Sequence, residues 1–182
     1  QRPIAAPSAN LFSRPSPTTA QHVFDDLAGR IDLILDAGKT EIGVESTILD
    51  LTQKPFCILR AGGVTFESLK RIIPDLEFYQ GNRVLSPGMF KRHYSPLAKV
   101  ILVEEDKTAQ QKVKSIAYKF LSQGYTVGIM TKEENKDKYN QDFNVKVLGP
   151  ANNLTICASN LFNVLREFDK DHIQIIVAEG VK

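Results

Sequence analysis

The sequence has few of the features that mark exported, membrane-spanning or disulfide-stabilised proteins. It contains only two cysteines, Cys57 and Cys157, each flanked by apolar residues and neither in a CxxC pattern. No run approaches the roughly 20 apolar residues that a membrane span requires, and no basic-then-apolar leader opens the chain. These absences predict a cytoplasmic protein with reduced core thiols and no membrane partner.

The sequence also lacks a strong charge bias and the common nucleotide and metal motifs. A formal net charge of +2 is too small to indicate a nucleic-acid or membrane partner from composition. There is no P-loop, no GxGxxG and no zinc-ligand spacing, so no metal site is predicted and any polyanion site must be local. The 42% hydrophobic and 24% charged residues that are present indicate a folded protein.

The first part of the chain predicts a helix, three strands and a second helix. A hydroxyl-rich loop over residues 1–20 leads into a helix that should end at Gly29, and Thr65 should cap the second helix, over 66–73. Only a turn separates the second and third apolar runs, which should therefore pair as antiparallel strands of a mixed sheet. The three predicted strands are 31–36, 47–51 and 56–60.

The last part of the chain alternates strand and helix patterns, which predicts parallel βαβ units. Between the two parts, residues 80–98 show no apolar period and are interpreted as a linker. The domains are thus expected at 1–79 and 99–182, and the fold class is α/β. In the second domain the expected strands are 99–104, 127–130, 144–148 and 173–177, and the expected helices are 107–123 and 152–168.

The loop before the first helix carries clustered hydroxyl and amide side chains. Ser8, Asn10 and Ser16 precede a helix N-terminus, where backbone N–H groups and the helix dipole favour an anion. An anion site is one interpretation of this loop. The alternative is that these side chains satisfy the backbone of turns, as such residues often do.

Two further candidates stand at strand ends. Ser46, close after Gly43, can hydrogen-bond a small polar substrate, whereas Glu45 beside it is interpreted as structural and not as a general base. Arg60 ends a strand and precedes two glycines, a position suited to binding phosphate or carboxylate. A surface salt bridge is the alternative role for Arg60.

The linker is chemically richer than a spacer needs to be. It contains Lys91, Arg92, His93 and Tyr94 in succession. A Tyr or His side chain can stack on a nucleobase or bond a phosphate. A lone His more often packs than catalyses, and no nucleophile or metal-ligand pattern surrounds His93, so no catalytic residue is assigned.

Taken in order, the strings PIAAPSAN, SPTTAQHV, GVESTILD, LRAGGV and SPGMFKRHYSP resemble the threonylcarbamoyl-AMP synthase family in its two-domain form. The resemblance covers residues 3–97 and implies the C-terminal part of a YrdC-like twisted mixed sheet, a lid-like linker and a small Rossmann-like α/β/α accessory domain. It implies synthesis of threonylcarbamoyl-AMP and pyrophosphate from L-threonine, bicarbonate and ATP, with Mg2+ accompanying ATP. The downstream partner would be the tRNA-modification machinery.

The same resemblance implies roles for particular residues. Nucleotide contacts would come from Ser8, Ser16, Arg60 and Tyr94. Ala6 and Ser46 would line the threonine pocket. Asn10 and His93 would contact these residues and hold them in place.

The family's basic KxR-type segment is expected upstream of Gln1, so we expect a chain truncated at its front and inactive alone. The end at Lys182, directly after a strand, suggests a clipped C-terminus. One alternative is an RNA-binding or regulatory module without adenylating activity, although the charge of +2 weighs against it. Another is a carbamoyltransferase maturation factor, whose zinc-finger patterns are missing from the sequence.

Overall fold

The computed structural model describes residues 2–3, 5–89, 93–139 and 142–181, whose strands form two separate sheets. In the first sheet, β1 (Ile48–Asp50) pairs antiparallel with β2 (Cys57–Arg60), as the short intervening turn predicted. A third strand, β3 (Glu77–Phe78), pairs parallel with β2. Two residues are too few to produce an alternating pattern, so β3 was not predicted.

The predicted strand at 31–36 is wrong. This run has no regular structure, and the side chains of Leu33 and Leu35 are 74% and 88% exposed. An apolar run becomes a strand only when a neighbouring strand satisfies its backbone N–H and C=O groups. Within the described residues, the first sheet ends at β1 and β3 and does not include this run.

Both predicted helices of the first part are present, with threonine caps. Helix α1 (Ala20–Leu27) begins after Thr19, whose hydroxyl accepts from the His22 N–H at 3.3 Å. Helix α2 (Phe66–Lys70) begins after Thr65, as predicted, but ends three residues before the expected Ile73. Helix ends fray, so such offsets are ordinary.

The second sheet is fully parallel, which confirms the predicted α/β class. Its strands are ordered β4-β7-β5-β6, so the last strand in sequence lies inside the sheet. Helices α3 (Ala109–Ser122) and α4 (Leu154–Lys170) connect strands, and a 3₁₀ helix (Glu133–Lys138) follows β5. The strands are β4 (Lys99–Val103), β5 (Val127–Thr131), β6 (Asn144–Val147) and β7 (Ile175–Glu179).

The residues from 98 onward, which contain the parallel sheet, are called the second unit, and those before residue 80 the first unit. The apolar core lies almost entirely in the second unit. One cluster includes Phe162, Phe168 and Ile176, and another includes Val113 and Ile129. Strands β5 and β7 are buried along their whole length, as expected for central parallel strands covered on both faces. None of the helices in the described ranges combines the length and apolar character that crossing a membrane requires.

Candidate active site

The antiparallel pairing of β1 and β2 brings Ser46 and Arg60 together. The start of β1 lies beside the end of β2, with Ile48 opposite Arg60. Arg60 Nε donates to the Ser46 carbonyl and Arg60 Nη2 donates to Ser46 Oγ, both at 3.0 Å. The two strand-end candidates therefore form one hydrogen-bonded pair.

Gly62, two residues after Arg60, lies very close to the backbone of Glu45. The Gly63 N–H donates to the Glu45 carbonyl at 2.8 Å. A Cβ placed on Gly62 would lie 2.3 Å from the same carbonyl oxygen, well inside contact distance. The glycine pair therefore allows the end of β2 to close on the Glu45–Ser46 segment.

The hydroxyl-rich loop meets this pair through Glu45. Ser16 is buried, and its hydroxyl donates a short hydrogen bond to the Glu45 carboxylate. Ser8, Ser16, Gly43 and Glu45 all line one open cavity of about 290 Å³. Ser46 follows Glu45 directly in sequence, so the Ser46–Arg60 pair lies beside this cavity, although neither residue lines it.

The linker contributes Tyr94 to the same region. Arg60 Nη1 donates to the Tyr94 hydroxyl at 3.0 Å, and the Tyr94 ring stacks on Phe162 of α4 with centroids 5.5 Å apart. Tyr94 has φ +52°, a left-handed conformation that is unusual for a bulky residue and often occurs at functional sites. Burial, followed by the negative charge of Glu45, raises the pKa of Tyr94 above its usual value despite Arg60, so the phenol is protonated at neutral pH.

Neighbouring linker residues hold this tyrosine against the hydroxyl loop. The Ser95 N–H donates to the Ser13 carbonyl at 2.8 Å. The His93 ring packs edge-on against Tyr94 with centroids 3.9 Å apart, and also faces Phe12 at 6.2 Å. Two basic linker residues singled out in the sequence, Lys91 and Arg92, lie outside the described residues.

Two other sequence candidates have less direct positions. Asn10 Nδ2 donates to the Leu11 carbonyl at 2.8 Å and to the Arg14 carbonyl at 3.3 Å, so its amide braces the loop. That contact is the turn-satisfying role considered for this residue type. Ala6 is exposed and lies two residues before Ser8.

Glu45, interpreted from the sequence as structural, accepts a hydrogen bond from Ser16. The contribution of α4 was not predicted. Phe162 and Arg166 carried no local signal, since they lie in an amphipathic helix more than 60 residues from the linker.

The arrangement suits an anionic ligand with a small polar companion. Arg60 supplies a planar cation, and the serines and backbone N–H groups supply neutral donors. Within the described ranges, no group of three or more His, Cys, Asp or Glu side chains is placed to hold a metal ion. The single carboxylate nearby, Glu45, fits a cation bound chiefly through ligand oxygens and water, as Mg2+ often is.

A larger open cleft of about 410 Å³ lies where α1 meets α4. Both of its arginines are bound to carboxylates: Arg14 to Asp169 at 3.0 Å and Arg166 to Asp26 at 2.7 Å. Arginines neutralised in this way are poor anion ligands. The remaining cation of the lining is the exposed Lys170, so this cleft is the less suitable place for a phosphate.

Comparison with protein families matches two models in succession. Residues 64–182 match the model described as threonylcarbamoyl-AMP synthase, C-terminal domain. Residues 1–62 match the model described as telomere recombination.

Similar proteins carry the same synthase name. Threonylcarbamoyl-AMP synthase of Pyrococcus abyssi is 40% identical over 100% of this chain and 54% of its own length. The Bacillus subtilis threonylcarbamoyl-AMP synthase is 38% identical over 98% of this chain and 52% of its own length. The chain thus spans about half the length of these relatives.

Solved structures agree with the fold. The crystal structure of P. abyssi Sua5 complexed with L-threonine superposes with a TM-score of 0.88 at 39% identity, covering 100% of this chain and 53% of that one. A P. abyssi Sua5 variant with an adjacent His and Tyr replaced by Ala gives the same TM-score at 38% identity and covers 52% of that chain.

Proposed function

Because the chain belongs to the threonylcarbamoyl-AMP synthase family, we propose that it is part of an enzyme making threonylcarbamoyl-AMP and pyrophosphate from L-threonine, bicarbonate and ATP. The observation that carries this proposal is the convergence of three distant segments. Ser16 bonds Glu45, while Arg60 bonds both Ser46 and Tyr94. Loop, strand pair and linker thereby border one region, as a site for two substrates requires.

In this proposal the nucleotide is held by Ser8, Ser16, Arg60 and Tyr94. Arg60 offers charge-assisted hydrogen bonds to a phosphate, which are stronger than its present bonds to neutral oxygens. The serine hydroxyls add neutral donors next to the start of α1, where the helix dipole favours negative charge. ATP would therefore replace some of the protein acceptors that Arg60 now contacts.

Threonine would lie near Ala6 and Ser46. Ser46 Oγ can hydrogen-bond the amino acid while its neighbour Arg60 faces the phosphate. The small side chain of Ala6 leaves space beside the loop. The similarity to a protein crystallised with L-threonine supports this choice of substrate.

His93 and Tyr94 form the only adjacent His-Tyr pair in this sequence. A solved variant of P. abyssi Sua5 has such a pair replaced by alanine. The Tyr94 hydroxyl bonds Arg60, and the His93 ring packs against Tyr94. We propose that the pair closes the linker over the nucleotide, while Asn10 braces the loop through its bonds to the Leu11 and Arg14 carbonyls.

The reaction needs positioning more than a covalent nucleophile. Carbamate formation brings the threonine amine to bicarbonate or CO2, and adenylation aligns that carboxylate with the α-phosphate as pyrophosphate leaves. Arg60 and the serine donors would stabilise negative charge in the water-poor site. Mg2+ would neutralise phosphate charge, held chiefly by phosphate oxygens and water.

The product would pass its threonylcarbamoyl group to the tRNA-modification machinery in the cytoplasm. A net charge of +2 gives no general attraction to an RNA backbone. RNA binding without adenylation is therefore the less favoured function. Titration of the full-length protein with RNA and with ATP separates the two, because the RNA-binding module would bind only the former.

We propose that the 182-residue chain is inactive by itself. Large apolar side chains of its first part are exposed, including Phe12 at 79% and Ile72 at 79%. Such a surface indicates a missing neighbour, which in this family is the rest of the catalytic domain. Turnover of ATP with threonine and bicarbonate by the isolated chain would contradict this proposal.

The function is tested in the full-length protein by pyrophosphate release that requires both threonine and bicarbonate. Replacing Arg60 with Met should lower kcat/KM about 100-fold, since an oriented charge donor is removed. The matched control is Lys119→Met, an exposed cation on α3, which should retain activity. Absence of threonylcarbamoyl-AMP with the unaltered protein would refute the function.

A further inference from the structure

One face of helix α4 lies against three segments of the candidate site: the hydroxyl loop, the Gly43 segment and the linker. Ser159, Phe162, Arg166 and Asp169 are spaced by three or four residues and therefore share that face. This helix belongs to the second unit, whose contribution to the site no sequence feature had indicated.

Arg166 makes the densest of these contacts. Its Nε and Nη2 donate to the Pro15 carbonyl at 3.1 and 2.5 Å. Its Nη1 and Nη2 also donate to the two carboxylate oxygens of Asp26 at 3.1 and 2.7 Å. A single guanidinium thus joins the hydroxyl loop, the C-terminal end of α1 and α4.

This arrangement is buried and electrostatically balanced. The side chains of Arg166 and Asp26 are each 8% exposed, and Pro15 is fully buried. Burial alone would raise the pKa of Asp26, but hydrogen bonds from Arg166 and its positive charge outweigh burial and leave the pKa below its usual value. The carboxylate is therefore ionised at neutral pH, and Arg166 forms two hydrogen bonds to each of its two partners.

The same helix face reaches the other site segments. A Cβ on Gly43 would lie 2.1 Å from the Ser159 carbonyl oxygen, so the glycine backbone rests directly on α4. Phe162 stacks on Tyr94. Asp169 accepts from Arg14 at 3.0 Å and from the N–H of Leu97 at 2.7 Å.

Pro15 immediately precedes Ser16, a proposed nucleotide contact that also bonds Glu45. We propose that Arg166 of the second unit is a positioning residue for ATP, because its bonds to the Pro15 carbonyl fix the Pro15–Ser16 turn. This inference rests on the proposed function. It assigns the second unit a role in the adenylating site, because α4 packs against the loop that would contact the nucleotide.

A purely structural role for Arg166 makes a different prediction. Loss of a structural contact lowers the amount of folded enzyme, which reduces the apparent kcat and leaves both KM values unchanged. Loss of positioning weakens the interaction with one substrate. Arg166 bonds the backbone directly beside Ser16, a proposed nucleotide contact, and its hydrogen bonds go to Pro15 and Asp26 and not to Ala6 or Ser46. The KM for ATP should therefore change and the KM for threonine should not.

The experiment compares two variants of the full-length protein. Asp26→Asn keeps the Arg166 bonds to Pro15, whereas Asp26→Asn combined with Arg166→Met removes them without leaving a buried carboxylate unpaired. We expect the double variant to show a KM for ATP at least 10-fold above that of Asp26→Asn, with the KM for threonine within 2-fold, in line with the large effect of a small misplacement. Thermal melting checks that both variants fold.

Equal KM values for ATP in the two variants, or a loss confined to kcat, would overturn the inference. If the double variant does not fold, Arg166→Lys decides by the same criterion, since an ammonium keeps the charge but cannot bridge Pro15 and Asp26 as a planar fork does. If the unaltered protein makes no threonylcarbamoyl-AMP, the proposed function fails. ATP affinity of the same variants, measured by calorimetry, then still decides the role of Arg166.

Discussion

The two sheets of this chain bury their apolar residues to very different extents. In the described residues, the second unit contains two clusters of buried side chains around central strands β5 and β7. Among the residues before 80 that the structure describes, the buried aliphatic and aromatic side chains are those of Ile58 and Leu76. Phe12, Leu33 and Leu35 are largely exposed there.

The difference shows that local regularity and self-sufficiency are separate properties. The first unit has capped helices and a paired sheet, yet its polar loop residues Ser16 and Thr18 are more buried than most of its apolar ones. Its loop is held instead by Arg166 from the second unit. Hydrophobic burial is the dominant stabilising term, so the second unit should be stable and the first dependent on its neighbours.

The largest expected effect comes from separating the two regions. Residues 98–182 should fold cooperatively, and residues 1–79 should not, because the latter bury too little apolar surface to offset chain entropy. Circular dichroism and urea unfolding of each fragment measure the difference. A dispersed amide NMR spectrum and a cooperative urea transition for residues 1–79 would show that the first unit folds alone, contrary to this expectation.

Core truncation should affect the two regions unequally. Phe168 of α4 is fully buried, whereas Leu35 is 88% exposed. In the 182-residue chain, Phe168→Ala should lower the free energy of unfolding by about 3–5 kcal/mol, and Leu35→Ala by about 0.5 kcal/mol or less. Urea titration measures both values. In the full-length protein the cost of Leu35→Ala should rise to about 2–3 kcal/mol if that side chain becomes covered, and an unchanged cost would show that it stays exposed.

The contact between the regions can be tested at Gly43, with Gly38 as the control. Both have positive φ, at +70° and +89°, but only Gly43 rests on the backbone of Ser159, whereas a Cβ on Gly38 meets nothing within 4 Å. Each Ala substitution should cost about 1–2 kcal/mol of backbone strain. Gly43→Ala should cost a further 1–3 kcal/mol or so from overlap with α4. Equal melting temperatures for the two variants would mean that this contact is not maintained in solution.

The smallest expected effect is a pH dependence at His22, which faces the boundary between the units. The Thr18 N–H donates to His22 Nδ1 at 3.2 Å, which requires a neutral ring. Burial, then Arg166, lowers the His22 pKa below 6.5, against opposing effects of Asp25, Asp26 and Glu167. The unfolded chain therefore binds a proton before the folded one does, and stability should fall as pH decreases below about 6.5.

Melting temperatures between pH 5 and 8 measure this decline. The variant His22→Gln should show a shallower one, since glutamine keeps a hydrogen-bond acceptor but does not titrate in this range. Identical pH profiles for the variant and the unaltered chain would exclude His22 as the source.

Much of the fold was predictable because its signals are local. Alternating strands and helices indicated the parallel sheet, Thr65 indicated the start of α2, and the short turn indicated the antiparallel pair β1–β2. The run at 31–36 was mispredicted because a strand depends on a partner, which an apolar pattern alone does not supply. Strand β3 was missed because two residues show no period.

The candidate site was predictable as residue types but not as an assembly. Ser16, Ser46, Arg60 and Tyr94 were identified by their positions at strand ends, in a loop and in a linker. Glu45 was interpreted as structural, and it accepts a hydrogen bond from Ser16 at the edge of the cavity. Their assigned roles remain predictions.

The sequence by itself determined the α/β class, the helix caps and the residues able to bind an anion, because these depend on spacing and side-chain chemistry within a few positions. Only the tertiary structure decided that Arg166 reaches the Pro15 carbonyl across 151 residues and that Gly43 rests on α4. Such contacts follow from the packing of one unit on the other. No local pattern encodes them, since a buried arginine in an amphipathic helix looks the same in sequence as an exposed one.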